Sequence, residues 1–274
     1  MKLSLCNEVI REFGFPEQCA YAAALGYAGL EIAPFTLSDT PHTLAPPQIS
    51  QARRALADAG LTCSSLHWLL LAPGGLSITD PDDAVRAHTV DVMRRLVDLA
   101  AELGADCLVH GSPAQRALPE SGAAAARDRA VECLAAAGEA AEAAGVVYCI
   151  EPLSRKETNF VNTVADAAEI VRAVGSPGLR TMIDTSATAR DGVDPTTVID
   201  AWYASGLIAH VQVNDPNRRG PGQGELDFSP FLSALRRHDY GGWVAVEPFD
   251  YVPDGPACAA RAAGYLQGIL GTLR

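Results

Sequence analysis

Eight times along this chain a short apolar run gives way to a helix-forming stretch, and no other feature limits the fold as strongly. The runs fall at 2–6, 29–33, 61–66, 106–109, 146–150, 179–184, 208–213 and 242–246. Short apolar runs bounded by Gly, Pro or polar residues read as strands buried on both faces. The stretches after them read as helices at 16–25, 48–59, 82–103, 123–144, 163–174, 195–204, 229–237 and 256–270. The first shows the expected asymmetry of Pro at the start and Gly past the end, in Pro16 and Gly26. The Ala-rich stretch 123–144 holds only Gly138 as a breaker, which favours helix. The loops include 154–162, 185–194 and 214–224. Strict alternation implies right-handed crossovers and a parallel sheet. Eight such units predict an α/β chain folded as a (β/α)8 TIM barrel, a single domain over 1–274 without a linker. A doubly wound open sheet is disfavoured, because no Gly-x-Gly-x-x-Gly follows the first strand.

The formal net charge is −12, and no run of Lys or Arg stands out. That argues against nucleic acid or an anionic membrane as the main partner. No apolar stretch reaches the roughly 18 residues of a membrane span. Acidic and polar residues appear by Asn7 and Glu8, too early for a secretory signal. The seven cysteines form no Cys-x-x-Cys pair and sit inside strand-like or helical runs. They read as small buried hydrophobes in a reducing compartment, so a cytoplasmic location is expected. A reactive thiol would matter at Cys6, near a strand end.

A barrel of this kind carries its chemistry at the C-terminal ends of the strands. The polar residues there are Asn7 and Glu8, His67, His110, Glu151, Asp184, His210 or Gln212, and Glu247. A carboxylate at the end of a buried strand is costly unless something pairs with it. Taken singly, each has a plainer reading: Glu151 could pair with Arg155, His67 could be a core histidine, and His110 could cap a turn. Several carboxylates converging on one mouth would repel, and a divalent cation removes that conflict. Oxygen ligands with at most one nitrogen suit Mn²⁺ or Mg²⁺ better than a structural Zn²⁺. The loop Gly220-Pro221-Gly222-Gln223-Gly224 looks like a phosphate cradle but lacks the Lys-Ser/Thr of a P-loop. It is expected to pack at the barrel mouth.

The segments Glu151-Pro152-Leu153, Asp184-Thr185, His210-Val211-Gln212-Val213-Asn214-Asp215, Gly220–Glu225 and Val246-Glu247-Pro248 resemble those of the xylose isomerase-like TIM barrel superfamily. Along nearly its whole length the chain is most similar to the ketose 3-epimerase and hydroxypyruvate isomerase branch. The resemblance implies one divalent ion, Mn²⁺ foremost with Mg²⁺ or Co²⁺ as alternatives, held by Glu151, Asp184, Gln212 and Glu247. It points to Gln212 rather than His210 as the third ligand, because the family ligand lies three residues before the Asp of the strand-end motif. His210, on the same side of that strand, would sit one layer below. It also implies substrate contacts from Glu157 and Arg218, with His67, His110 and His210 as further candidates. One departure is plain: epimerases carry a His three residues after the metal Asp, and here that residue is Ala187. Relatives in this superfamily are often dimers or tetramers, so a homo-oligomer is implied.

The expected activity is metal-dependent isomerisation or epimerisation of a small carbohydrate through an enediolate, ketose 3-epimerase-like. Glu151 and Glu247 would be the catalytic pair, one removing a proton beside the carbonyl and the other returning it. The alternative is a keto-inositol dehydratase or 3-keto-glycoside lyase on the same metal site. A DNA-repair endonuclease would need a histidine-rich site and a basic groove, which six His and a charge of −12 oppose. A non-catalytic sugar binder would be expected to lose one of the acids, and all are present.

Overall fold

The computed structural model describes residues 1–273. The strands are β1 Lys2–Cys6, β2 Gly29–Ile32, β3 Thr62–Leu66, β4 Cys107–His110, β5 Val147–Ile150, β6 Leu179–Asp184, β7 Ile208–Val213 and β8 Trp243–Val246. Each pairs in parallel with its sequence neighbours, and β8 closes onto β1, giving the (β/α)8 barrel expected from the alternation. The helices are α1 Phe15–Ala24, α2 Pro46–Asp58, α3 Asp83–Leu103, α4 Ala123–Ala144, α5 Val164–Val174, α6 Thr185–Arg190, α7 Pro195–Trp202, α8 Phe228–Arg237 and α9 Gly255–Thr272.

Local chemistry sets the helix ends. Asp82 caps α3 through the Ala84 N–H, and Thr163 caps α5 while Asp166 reaches back to the Thr163 N–H. Gly104, Gly145 and Gly175 stop their helices with φ of 75°, 72° and 73°. Gly138, the odd residue inside α4, has a packing reason. The helix crosses the entry to β6 so closely that a Cβ at Gly178 would overlap the Gly138 carbonyl, and a Cβ at Gly138 would press on Leu179.

One segment differs from the expectation. The stretch 185–194 was expected as a loop, yet it begins with the short helix α6. Asp184 is its cap, with Oδ1 accepting the Ala187 N–H at 2.5 Å. A strand-end acid that doubles as a helix cap leaves no gap between strand and helix.

The main apolar core fills the space between the strands and the helices. A smaller cluster of Cys107, Val109, Cys149 and Met182 packs separately. Alternation along the strands puts Gly111, Glu151 and Asp184 on the same face as these residues, one step towards the C-terminal end. All seven cysteines are free and buried. Burial, with the acids around it, pushes the Cys6 thiol well up, which disfavours the thiolate. No described helix is long and apolar enough to cross a membrane.

Candidate metal centre

Four neighbouring strands deliver the acids and the amide. Glu151 follows β5 and donates its N–H to the His110 carbonyl at 3.2 Å. Asp184 ends β6 and stands in register with Gln212 of β7. Glu247 follows β8, its N–H bonded to Val213. Glu151, Asp184 and Glu247 each offer a carboxylate oxygen, all within 4.8 Å of one another. These three are at most 5 % exposed, and Gln212 is fully buried.

Three carboxylates this close cannot all be ionised unaided. Burial, then Glu247 and Asp184, pushes the Glu151 carboxyl well up, although Arg116 works against this. Burial and Glu247 do the same to Asp184, and burial lifts Glu247 to about 7 against the pull of His67. Asp184 Oδ2 and Gln212 Oε1 are buried and have no hydrogen-bond partner among the described residues. Clustered carboxylate oxygens with an unpartnered amide carbonyl beside them form an all-oxygen donor set. That set fits a hard divalent cation.

A second polar layer supports the first. His67 places Nδ1 2.8 Å from Glu247 Oε1 and Nε2 2.9 Å from Glu8 Oε2. A neutral imidazole has one N–H and cannot serve two carboxylates. Burial opposes a charge on this ring, but Glu8, Glu247 and Glu31 raise it well above its usual range. Glu31 accepts from His210 Nε2 at 2.6 Å, Gln212 Nε2 at 2.5 Å and Ser65 Oγ at 2.7 Å. Burial would raise the Glu31 carboxyl, yet His210, His67 and Ser65 together hold it at about 2. Burial likewise opposes charge on His210, whereas Glu31, accepting from its Nε2, favours it. Glu8, Glu31, Glu151, Asp184 and Glu247 thus crowd one buried region in which Arg116, His67 and His210 are the basic groups.

A cavity of about 320 Å³ opens over this floor. Glu151, Glu247, His67, Glu157 and Arg218 line it, with Trp68, Leu153 and Phe249 as apolar walls. Trp68 and Phe249 meet edge to face with centroids 6.0 Å apart, and the Arg218 guanidinium lies 5.1 Å over Phe249. Arg218 takes φ 70°, and its carbonyl accepts both the Phe249 and Asp250 N–H groups. A smaller recess shares Glu151, Glu157 and Glu247 with the cavity and adds Asp184, Ala187 and Arg190. Arg190 Nη1 stands 2.8 Å from Glu157 Oε1.

The structure therefore gathers Glu151, Glu247, His67, Glu157 and Arg218 around one cavity, with Asp184 in the adjoining recess. His110 and His210 do not line that cavity. His110 is fully buried and faces the Tyr148 hydroxyl at 2.8 Å. Burial and Arg116 press its ring down to about 3, so it is neutral. His210 faces Glu31, one layer below. Arg155, the alternative partner for Glu151, pairs with Asp191 at 3.0 Å instead. The glycine-rich loop is filled from within: the Asp215 carboxylate accepts the Leu226 N–H, and a Cβ at Gly224 would overlap it.

Sequence reasoning passed over Glu31, Arg116 and Arg190. Only Glu31 carried a signal, since an acid in the middle of the apolar strand Gly29–Ile32 demands a buried partner.

The comparisons with known proteins agree with this architecture. A family model described as xylose isomerase-like TIM barrel matches residues 19–269. A ketose 3-epimerase from Arthrobacter globiformis is 30% identical over 229 residues, covering 81% of this chain and 74% of that protein. A 3-dehydro-D-guloside 4-epimerase from Escherichia coli is 24% identical over 257 residues, covering 90% of this chain and 92% of that protein. The crystal structure of a D-psicose 3-epimerase in the presence of D-fructose superposes with a TM-score of 0.84 at 22% identity. It covers 99% of this chain and 100% of that one, a likeness of fold.

Proposed function

This chain belongs to the xylose isomerase-like TIM barrel family, and from that premise we propose that it is a divalent-cation-dependent sugar epimerase of the ketose 3-epimerase kind. The observation that carries the reading is the convergence of Glu151, Asp184 and Glu247 on one buried point at the edge of the cavity. Glu151, Asp184, Gln212 and Glu247 would hold the cation, with Mn²⁺ first and Mg²⁺ or Co²⁺ as alternatives. When bound, it supplies electrostatic stabilisation of the negative charge that develops on a substrate carbonyl oxygen.

The protein's own groups do the rest. Glu151 and Glu247 come from different strands and line the same cavity, so one can take the proton beside the carbonyl and the other return it. Return from the second side inverts the carbon. Glu157, held by Arg190, and Arg218, held against Phe249, offer hydrogen bonds that orient the sugar hydroxyls. Trp68, Leu153 and Phe249 give apolar walls that keep water away. The small-molecule carbohydrate remains the only partner in this reading besides further copies of the chain. Seven unpaired buried cysteines support a reducing, cytoplasmic setting.

A second reading keeps the same proton chemistry on a 3-keto glycoside. Ala187, where epimerases carry His, lines the recess beside the acids and leaves it open. The Escherichia coli relative named for such a substrate matches over 92% of its own length. The test is solvent-deuterium incorporation into a panel of free ketoses and 3-keto glycosides, with Mn²⁺ and with EDTA. Metal-dependent exchange at C3 of a free ketose supports the first reading. Exchange at C4 of a 3-keto glycoside alone selects the second. Exchange at C1 or C2 makes the protein an aldose–ketose isomerase, and none with any substrate overturns both.

A further inference from the structure

We propose that Glu31 is the positioning residue of the metal centre, turning the Gln212 amide so that its carbonyl oxygen faces the cation. The inference rests on the metal reading above but concerns a residue outside the ligand set.

An amide side chain has two ends of nearly equal size and opposite character. Its oxygen ligates a cation, whereas its NH₂ group repels one. Gln212 can act as a ligand only if something selects the orientation. Its Nε2 stands 2.5 Å from Glu31 Oε1, and carboxylate oxygens accept hydrogen bonds. The NH₂ group is therefore bound downwards, and Oε1 is left buried without a partner among the described residues. Asp184, in register on the neighbouring strand, likewise leaves Oδ2 without a partner.

Glu31 is itself held from three further sides. His210 Nε2 and Ser65 Oγ donate to Oε2, and His67 Nδ1 lies 3.6 Å from Oε1. The β2–β3 register shifts between Leu30 and Glu31, an irregularity of the kind that re-aims a side chain beside a functional site. His210 thus serves the centre indirectly, by fixing the carboxylate that fixes Gln212. Groups behind the ligands set how well those ligands bind.

The test is Mn²⁺ affinity, measured by calorimetry on metal-stripped protein, for the wild type, E31Q and the exchange double variant E31Q/Q212E. A glutamine at 31 can accept or donate, so Gln212 is no longer forced one way. E31Q is expected to weaken Mn²⁺ binding by about 10- to 100-fold. In E31Q/Q212E the carboxylate at 212 offers an oxygen in either orientation and the total charge is unchanged. Its affinity is expected to return to within about threefold of wild type, a rescue that a merely structural Glu31 would not permit. If E31Q does not fold, E31D keeps the charge but withdraws the carboxylate by one methylene, and weaker Mn²⁺ binding is again expected. An E31Q or E31D protein that binds Mn²⁺ like wild type overturns the inference, as does a double variant no better than E31Q. Wild type that fails to bind Mn²⁺ at all would overturn the metal reading itself, a separate result.

Discussion

Gly111 makes room for Glu151: a Cβ at position 111 would overlap Glu151 Oε2. The glycine follows β4 and the acid follows β5, so two adjacent strand ends share one space. The lack of a side chain on one strand is what lets the carboxylate on the next lie over the barrel.

Gly111→Ala is therefore expected to displace the Glu151 carboxylate. Overpacking of this size costs about 1–3 kcal/mol in a core, and the cavity beside Glu151 can absorb part of it. Activity should suffer more than stability, with kcat/KM down at least tenfold while thermal unfolding moves little. Steady-state kinetics beside a melting curve decides this; unchanged kinetics would mean the carboxylate can work from elsewhere.

Glu151→Gln and Glu247→Gln each remove one partner of the proposed proton exchange. General acid–base catalysis is worth about 10²- to 10⁴-fold, so kcat should fall by that range in each variant. Deuterium exchange with solvent separates the two: the residue facing the abstracted proton abolishes exchange in one epimer, and its partner abolishes it in the other. Full exchange in both variants would remove these residues from the chemistry.

Asp184 has two tasks that can be separated. Oδ1 caps α6, and Oδ2 has no hydrogen-bond partner among the described residues. Asn caps helices about as well as Asp, whereas Ala costs about 1 kcal/mol there. Asp184→Asn should keep the melting temperature of the metal-free protein yet weaken Mn²⁺ binding at least tenfold. Asp184→Ala should lose both. Equal Mn²⁺ affinity in wild type and Asp184→Asn would exclude this acid as a ligand.

The metal-free protein should lose stability as the pH rises. Burial holds the Glu247 carboxyl at about 7 and puts Glu151 and Asp184 well above their usual range. An acid raised in the folded state costs nothing at low pH, where both states keep the proton. The cost grows once the unfolded chain ionises, at about 4, and for Glu247 is complete above about 7. A divalent cation needs these groups ionised, so it stabilises most at high pH. The gain in melting temperature on adding Mn²⁺ to EDTA-treated protein is expected to be larger at pH 8 than at pH 5.5. A gain independent of pH would contradict binding at these three acids.

Much of this architecture is readable from periodicity, because each strand is a short apolar run with a breaker after it. The structure moves the strand limits by a residue or so; β3, for example, begins at Thr62 rather than at 61. The exception, α6, is instructive. Thr185-Ser186-Ala187-Thr188 has no strong helical pattern, and the helix exists because Asp184 caps it from the end of a strand. Arg155 shows the same limit for ion pairs: it lies close in sequence to Glu151, but the chain turns it onto Asp191.

What the sequence determined by itself was the barrel and the identity of the acids at its mouth. Both follow from local order: apolar strands must be buried, alternation with helices forces parallel pairing, and a parallel barrel collects its strand ends on one rim. What only the tertiary structure decided was which polar groups answer one another. His210 meets Glu31 across 179 positions of sequence, and His67 meets Glu247 across 180. No local pattern encodes such pairs, because they arise when a closed barrel brings β2 and β3 opposite β7 and β8. Burial then makes each unmet charge too costly to leave alone.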